Sequence, residues 1–223
     1  MRNRLNDRWG RGVAEAPQTG FAGRFSGALL PPSLADRDPV VDGLRGLALV
    51  LMMFGHAAVS FVPPPWPLWG EMVGSLAPIF FFLIAGMMVT DSVTYRNRKL
   101  AHFLKRMALL MSLGAAIDLA IWRIWPFTSC EVLYAIGLYL PLTYLAVRHL
   151  GRWRLLLAAA LVALTPILQN QLGYTPYPLE WGLDGQPVHS VAGQTSVWQH
   201  WLIDGWFPIF PWLGVMLLGS WLG

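Results

Sequence analysis

Arg45 and His56 lie eleven residues apart in an apolar run that opens Asp42-Gly43-Leu44-Arg45-Gly46 and closes Met52-Met53-Phe54-Gly55-His56. Ionisable side chains inside a stretch of membrane-spanning length are expensive to keep there and usually mark function. Eleven residues are about three helical turns, so Asp42, Arg45, Leu49, Met52 and His56 share one stripe of a helix. At about 1.5 Å of rise per residue, Arg45 and His56 are roughly 17 Å apart along the axis. Such a stripe describes a site entered from one membrane face that reacts towards the other. A second candidate is Asp118, in Gly114-Ala115-Ala116-Ile117-Asp118-Leu119, about as far from Arg106 as His56 is from Arg45. A carboxylate accepting from one imidazole nitrogen fixes the tautomer and raises the basicity of the other, which suits a general base acting on a hydroxyl or amine. His56 could instead be a satisfied buried histidine, and Asp118 a structural partner of Arg123 or of water.

The elements that must position these groups are membrane helices. The chain is 55% hydrophobic and 13% charged, has twelve tryptophans and a mean hydropathy of +0.48. A soluble domain carries roughly 25% charged residues. Stretches long enough to span, or nearly so, are 44–62, 72–90, 107–125, 132–147, 153–172 and 203–222. The fold class expected is therefore all-α, a polytopic integral membrane protein of about six transmembrane helices. Pro141 and Pro166 interrupt two of these stretches, and spans tolerate proline where neighbours satisfy the freed carbonyls. Of the sixteen Lys and Arg residues, fifteen precede or open the first span, lie between the second and third, or lie between the fourth and fifth; Arg123 is the exception. Positive charge collects in cytoplasmic loops, which places both termini in the cytoplasm, in what reads as a bacterial inner membrane. Glu71, Glu131, Glu180, Asp184 and Asp204 then fall at the outer side. The net charge of +4 reflects this asymmetry and the anionic lipid it faces, not nucleic-acid binding.

Residues 1–37 read as a basic cytoplasmic arm without a sustained apolar period, either lying on lipid headgroups or ordering against a partner. The single cysteine, Cys130, excludes an internal disulfide and a cysteine-based metal cluster, and no metal site is expected. Two outer loops are candidate acceptor surfaces. The first carries Pro63-Pro64-Pro65-Trp66-Pro67 and Trp69; the second, residues 170–199, carries Trp181 among tyrosines and prolines and has no basic residue. Flat aromatic faces stack on sugar rings, although a tryptophan belt at the membrane interface has the same composition. His102, His149, His189 and His200 lie near loops or membrane edges and are expected to be solvated.

These residues carry a family resemblance. The Asp42 to Gly46 and Met52 to His56 segments resemble the opening signature of the transmembrane acyltransferase superfamily, in its heparan-α-glucosaminide N-acetyltransferase-like branch. Ala77 to Gly86, Glu131 to Leu138 and Phe207 to Gly214 resemble later segments in the same order. The resemblance covers 38–223, a six-helix acyltransferase-like domain about half of the family's usual length and its N-terminal part only. It implies an enzyme that moves an acyl (acetyl) group from a cytoplasmic acyl-CoA co-substrate to a sugar or related acceptor, with no tightly bound cofactor. Asp42 and Arg45 would hold the donor, His56 would act as base or transient acyl carrier beside Asp118, and Trp66, Trp69 and Trp181 would meet the acceptor. The acceptor-loop histidine of the lysosomal branch has no counterpart in residues 63–69. A degenerate relative, serving as a non-catalytic subunit of an energy-transducing or photosynthetic membrane complex, is the alternative. Either way the lipid bilayer is a partner, and a homo-oligomer or hetero-complex is expected, contacted through the small residues Gly114, Ala115, Gly214 and Gly219.

Overall fold

A computed structural model describes residues 39–61, 68–128, 130–174, 182–186 and 196–223, without the side chains at 58–60, 68, 69, 71 and 73. The basic arm of residues 1–37 lies outside the described residues, as do Trp66, Trp181 and the Trp69 side chain. Among the described residues the structure is helical, and its only β pairing is an isolated antiparallel bridge between Ile124 and Gly182.

Six long helices form at the six positions that the hydropathy pattern predicts: α1 Pro39–Phe61, α2 Leu68–Thr94, α3 Leu100–Ile117, α4 Val132–His149, α5 Arg154–Leu172 and α6 Ile209–Leu222. The chain belongs to the membrane: α1, α2 and α5 are each long and apolar enough to cross a bilayer. A fourth crossing is made if the short helical segment Val197–Asp204 and α6, bent by 47° at their junction, form one span. The sixth expected span is thus broken where the sequence suggested continuity, at Gly205-Trp206-Phe207-Pro208. Pro208 lacks an N–H, and Pro211 drives Phe210 to extended angles (φ −97, ψ 115) inside the first turn of α6. Pro78, Pro141 and Pro166 instead lie within α2, α4 and α5, which continue through them.

The helices pack as α5–α6–α2, with α4 bridging α2 and α6 and carrying α3 on its other side. Lipid is as apolar as a leucine side chain, so these contacts rest on close approach and hydrogen bonds more than on burial. Gly86 of α2 has no room for a side chain, because a Cβ there would lie 2.7 Å from the Ser220 nitrogen. Gly219 likewise abuts the α2 backbone, with Leu83 Cα 2.6 Å from where its Cβ would be. One turn further along, Thr90 Oγ1 donates to the Ser220 carbonyl at 2.6 Å. Deeper in the bundle, the fully buried Phe82 ring packs with Tyr139, Phe207 and Trp212 at centroid distances of 5.3–5.7 Å.

This packing corrects one expectation. Gly114, Gly214 and Gly219 do not present a surface to a partner; they are buried against Tyr134, Ala158 and Leu83 of the same chain. Small residues allow close approach without specifying whose helix approaches. Of the three candidate spans among the described residues α1 is the least buried, and Val40, Leu47, Val50 and Met53 on it are exposed.

Candidate functional site

A cavity of about 600 Å³ opens between α1, α2, α3 and α4. Arg45 reaches it from α1, Arg96 from the turn after α2, and Arg106 from α3, with Ser92 beside them. The rest of the lining is apolar. Asp42 binds the Arg45 guanidinium at 2.8 Å, one turn away on the same helix, and a second Arg45 nitrogen touches Met88 Sδ of α2 at 2.6 Å. Both members of the Asp42–Arg45 pair are about two-fifths exposed, so the pair adds little stability. Its consequence is orientation, because the fork is held towards α2. Arg96 Nε lies 3.1 Å from Asp91 Oδ2, an ion pair without hydrogen-bond geometry. Arg106 has no carboxylate partner among the described residues. Three arginines thus line one cavity, and guanidinium groups are side chains suited to phosphate or another multivalent anion. His102, one turn before Arg106, packs edge-on against Phe103. Partial burial and the cations Arg106, Arg98 and Lys105 pull its pKa below the ordinary histidine value.

The stripe predicted on α1 is present as helix, but its members part company. Arg45 and Leu49 turn into the cavity, whereas His56 is exposed further along α1 and is not among the cavity's lining residues. Asp118 is 2% exposed, in the π-helical turn Asp118–Trp122 that ends α3. The hydroxyl of Tyr134, from α4, donates to its Oδ2. Tyr134 comes this close because Gly114, one turn before Asp118, leaves room for the ring. The small residues around Asp118 therefore admit a neighbouring helix as expected, but the group they deliver is a phenol.

The end of the bundle near Asp118 contains a pair that the sequence reading missed. His200 Nδ1 and Asp204 Oδ1 are 2.8 Å apart, and each residue is 1% exposed. They occupy a second π-helical turn, His200–Asp204, just before the break that leads to α6. His200 is thus not solvated at a membrane edge, and Asp204 is not a loop carboxylate; tertiary packing encloses both. A histidine and an aspartate four apart in an apolar, aromatic run share one helix face, and that spacing was the available signal. Aromatic contacts join the two turns: Tyr134 packs against Phe127 at 4.8 Å and Trp201 at 6.0 Å, and Trp201 Nε1 donates to the Phe127 carbonyl at 3.0 Å. Cys130 Sγ and Tyr139 Oη both donate to the Phe207 carbonyl, at 3.0 and 2.7 Å, tying the start of α4 to the break. Among the described residues no three of His, Cys, Asp and Glu converge as metal ligands would.

The long loop is described only at 170–174, 182–186 and 196–199. Its 182–186 turn docks on the α3–α4 connection, with the Leu183 N–H donating to the Arg123 carbonyl at 2.9 Å. Gln199 Nε2 caps the end of α5 through the Leu172 and Gly173 carbonyls, at 2.7 and 3.1 Å.

Residues 37–223 match the sequence model described as heparan-alpha-glucosaminide N-acetyltransferase, catalytic. No curated protein and no solved structure gives a significant match.

Proposed function

The chain belongs to the heparan-alpha-glucosaminide N-acetyltransferase catalytic family, and from that membership we propose that it transfers an acyl group from a cytoplasmic acyl-CoA donor to a sugar or related acceptor across the membrane. The observation that carries the reading is the cavity, apolar in most of its lining, whose wall includes Arg45, Arg96 and Arg106. In this reading the guanidinium groups take the phosphates of the donor, and Asp42 and Asp91 keep two of them aimed. All six helices cross the bilayer, and the arginine-bearing end faces the cytoplasm of a bacterial inner membrane. The donor's arm reaches along α1 towards the level of His56, roughly 17 Å from Arg45 at about 1.5 Å per residue. There an imidazole removes the acceptor's proton as acyl transfer proceeds.

Two imidazoles are available for that step. His56 is the one expected from the sequence, with Asp118, which also accepts from Tyr134, as the carboxylate proposed beside it. His200 is the one that arrives with a carboxylate already oriented on it. Transfer of a radiolabelled acyl group from acyl-CoA by the protein in lipid nanodiscs tests the proposal. His56→Ala should lower turnover at least 10²-fold, a usual size for general-base catalysis, with yield and melting unchanged. Arg106→Gln should raise the donor KM and leave turnover at saturation nearly intact. Loss with His200→Ala and not with His56→Ala would move the base to the buried pair. Wild-type transfer indistinguishable from empty nanodiscs, over a range of acceptors, would refute the enzyme reading.

A further inference from the structure

A second cavity, of about 360 Å³, lies between α4, α5 and α6 and shares no lining residue with the arginine cavity. Its walls include Leu142 and Leu145 of α4, Leu157 of α5, and Leu213 and Leu217 of α6, and its one ionisable lining residue is His149, the last of α4. Leu142 and His149 are seven residues apart on α4, about 10 Å of rise, so the cavity runs along the helices from the α4–α5 turn. Residues Gly151–Leu172 are long and apolar enough to cross a bilayer, which puts that turn at headgroup level. The turn is strongly basic. Arg148, His149, Arg152 and Arg154 fall within it, the chain has no Asp or Glu from 132 to 179, and among the described residues no carboxylate pairs with any of the four. Arg154 precedes Leu157 by three residues and so shares its face of α5. Its Nε is buried and has no hydrogen-bond partner among the described residues. Arg152 lies over the exposed Trp153 ring at 5.5 Å from its centre, and such an aromatic suits the boundary between lipid and water.

An occupant of this place has two demands to meet. The leucine walls lose dispersion contacts wherever nothing touches them, and hydrocarbon restores these. The cations at the mouth call for an anion, because a desolvated arginine without one is costly. An apolar helix laid in the cavity answers the first demand and leaves the second unmet. A phospholipid answers both in one molecule, since its phosphate sits at headgroup level and its acyl chain runs down beside it. Charge complementarity narrows the class further: a zwitterionic headgroup brings its own positive group among four cations, and an anionic one does not. We propose that the α4–α5 turn and the cavity beneath it bind an anionic phospholipid, with the headgroup held by His149, Arg152 and Arg154 and one acyl chain lying along the leucine walls. The site is separate from the one given to acyl transfer and does not depend on that reading.

Native mass spectrometry of the full chain in detergent, titrated with dioleoylphosphatidylglycerol, dioleoylphosphatidylcholine or glycerol 3-phosphate, tests the site. The first phosphatidylglycerol should bind at least about tenfold more tightly than the first phosphatidylcholine. Glycerol 3-phosphate, which has the charge without the chains, should not bind at the same concentrations. About 1 kcal/mol for each basic side chain near an anionic headgroup converts to roughly fivefold, so Arg152→Gln combined with Arg154→Gln should weaken phosphatidylglycerol by roughly 25-fold and leave phosphatidylcholine nearly unchanged. Arg98→Gln combined with Lys99→Gln takes the same charge from the α2–α3 turn and should spare the preference. Leu145→Trp, which fills the cavity, should weaken both lipids at an unchanged melting temperature. Equal losses in the two charge-removing pairs would overturn the site in favour of undirected surface charge. Equal affinity for the two lipids in the wild type would overturn it in favour of a cavity filled by protein, and glycerol 3-phosphate binding as tightly as phosphatidylglycerol would overturn it in favour of an anion site without a lipid.

Discussion

Substituting Gly86 by alanine tests whether the α2–α6 contact holds this bundle together. The added Cβ would lie 2.7 Å from the Ser220 nitrogen and closer still to the Met216 carbonyl oxygen, both on the α6 backbone. Carbon and its neighbours rest at about 3.5 Å or more, so the two backbones must part by at least about 0.8 Å. No rotamer relieves the clash, because both sides are main chain. A gap of that size forfeits a quarter to a half of the dispersion energy across the contact. It also stretches the Thr90 to Ser220 hydrogen bond from 2.6 Å to about 3.4 Å, outside good O–H···O geometry. Overpacking costs about 1–3 kcal/mol and the lost hydrogen bond about 1 kcal/mol, so Gly86→Ala should destabilise by about 2–4 kcal/mol. Reversible unfolding in mixed detergent micelles, followed by tryptophan fluorescence, measures it. Gly46→Ala on α1, where nothing lies within 4 Å, is the control; it should be neutral or stabilising by up to about 1 kcal/mol, since alanine is the better helix former. A loss below about 0.5 kcal/mol for Gly86→Ala, or equal changes at the two sites, would refute the backbone-contact account.

Two further outcomes follow from polar groups at opposite ends of the bundle. Tyr134→Phe removes the hydroxyl that serves the 2%-exposed Asp118 and should cost about 1–3 kcal/mol in the same unfolding assay, the range for removing one partner of a buried hydrogen bond; combining it with Asp118→Asn should recover part of the loss, and additive losses would deny the coupling. At the basic end, the lowered pKa of His102 means that the unfolded chain binds a proton more readily than the folded one. Its contribution is therefore neutral above the ordinary pKa of about 6.5 and becomes destabilising as pH falls through that value. His102→Gln should lessen the drop in melting temperature between pH 7.5 and 5.5, and an identical drop in wild type and variant would show that the histidine is not strained by its cationic neighbours.

Much of this molecule was legible before any coordinates. The helix positions followed from runs of apolar residues, because a backbone in lipid must satisfy its own hydrogen bonds and a helix does so within one segment. The Asp42–Arg45 pair followed from the three-residue spacing, which a helix converts directly into contact. Tertiary structure alone decided what packed against what. Gly114 and Gly219 signal close approach in any sequence, and only the fold shows that Tyr134 and Leu83 of the same chain make it. The sequence places His56 and Asp118 at similar depths along their helices, but depth leaves the rotation of each helix free, and only the fold shows that Tyr134 donates to Asp118. Arg96 and Arg106 read as topological charges until helix packing turned them, with Arg45, onto one cavity. His200 and Asp204 carried a usable spacing, yet their burial depends on the aromatic cluster closing over the turn before α6. Sequence sets the direction of each helix and the period of its faces; which faces meet is a property of the whole bundle.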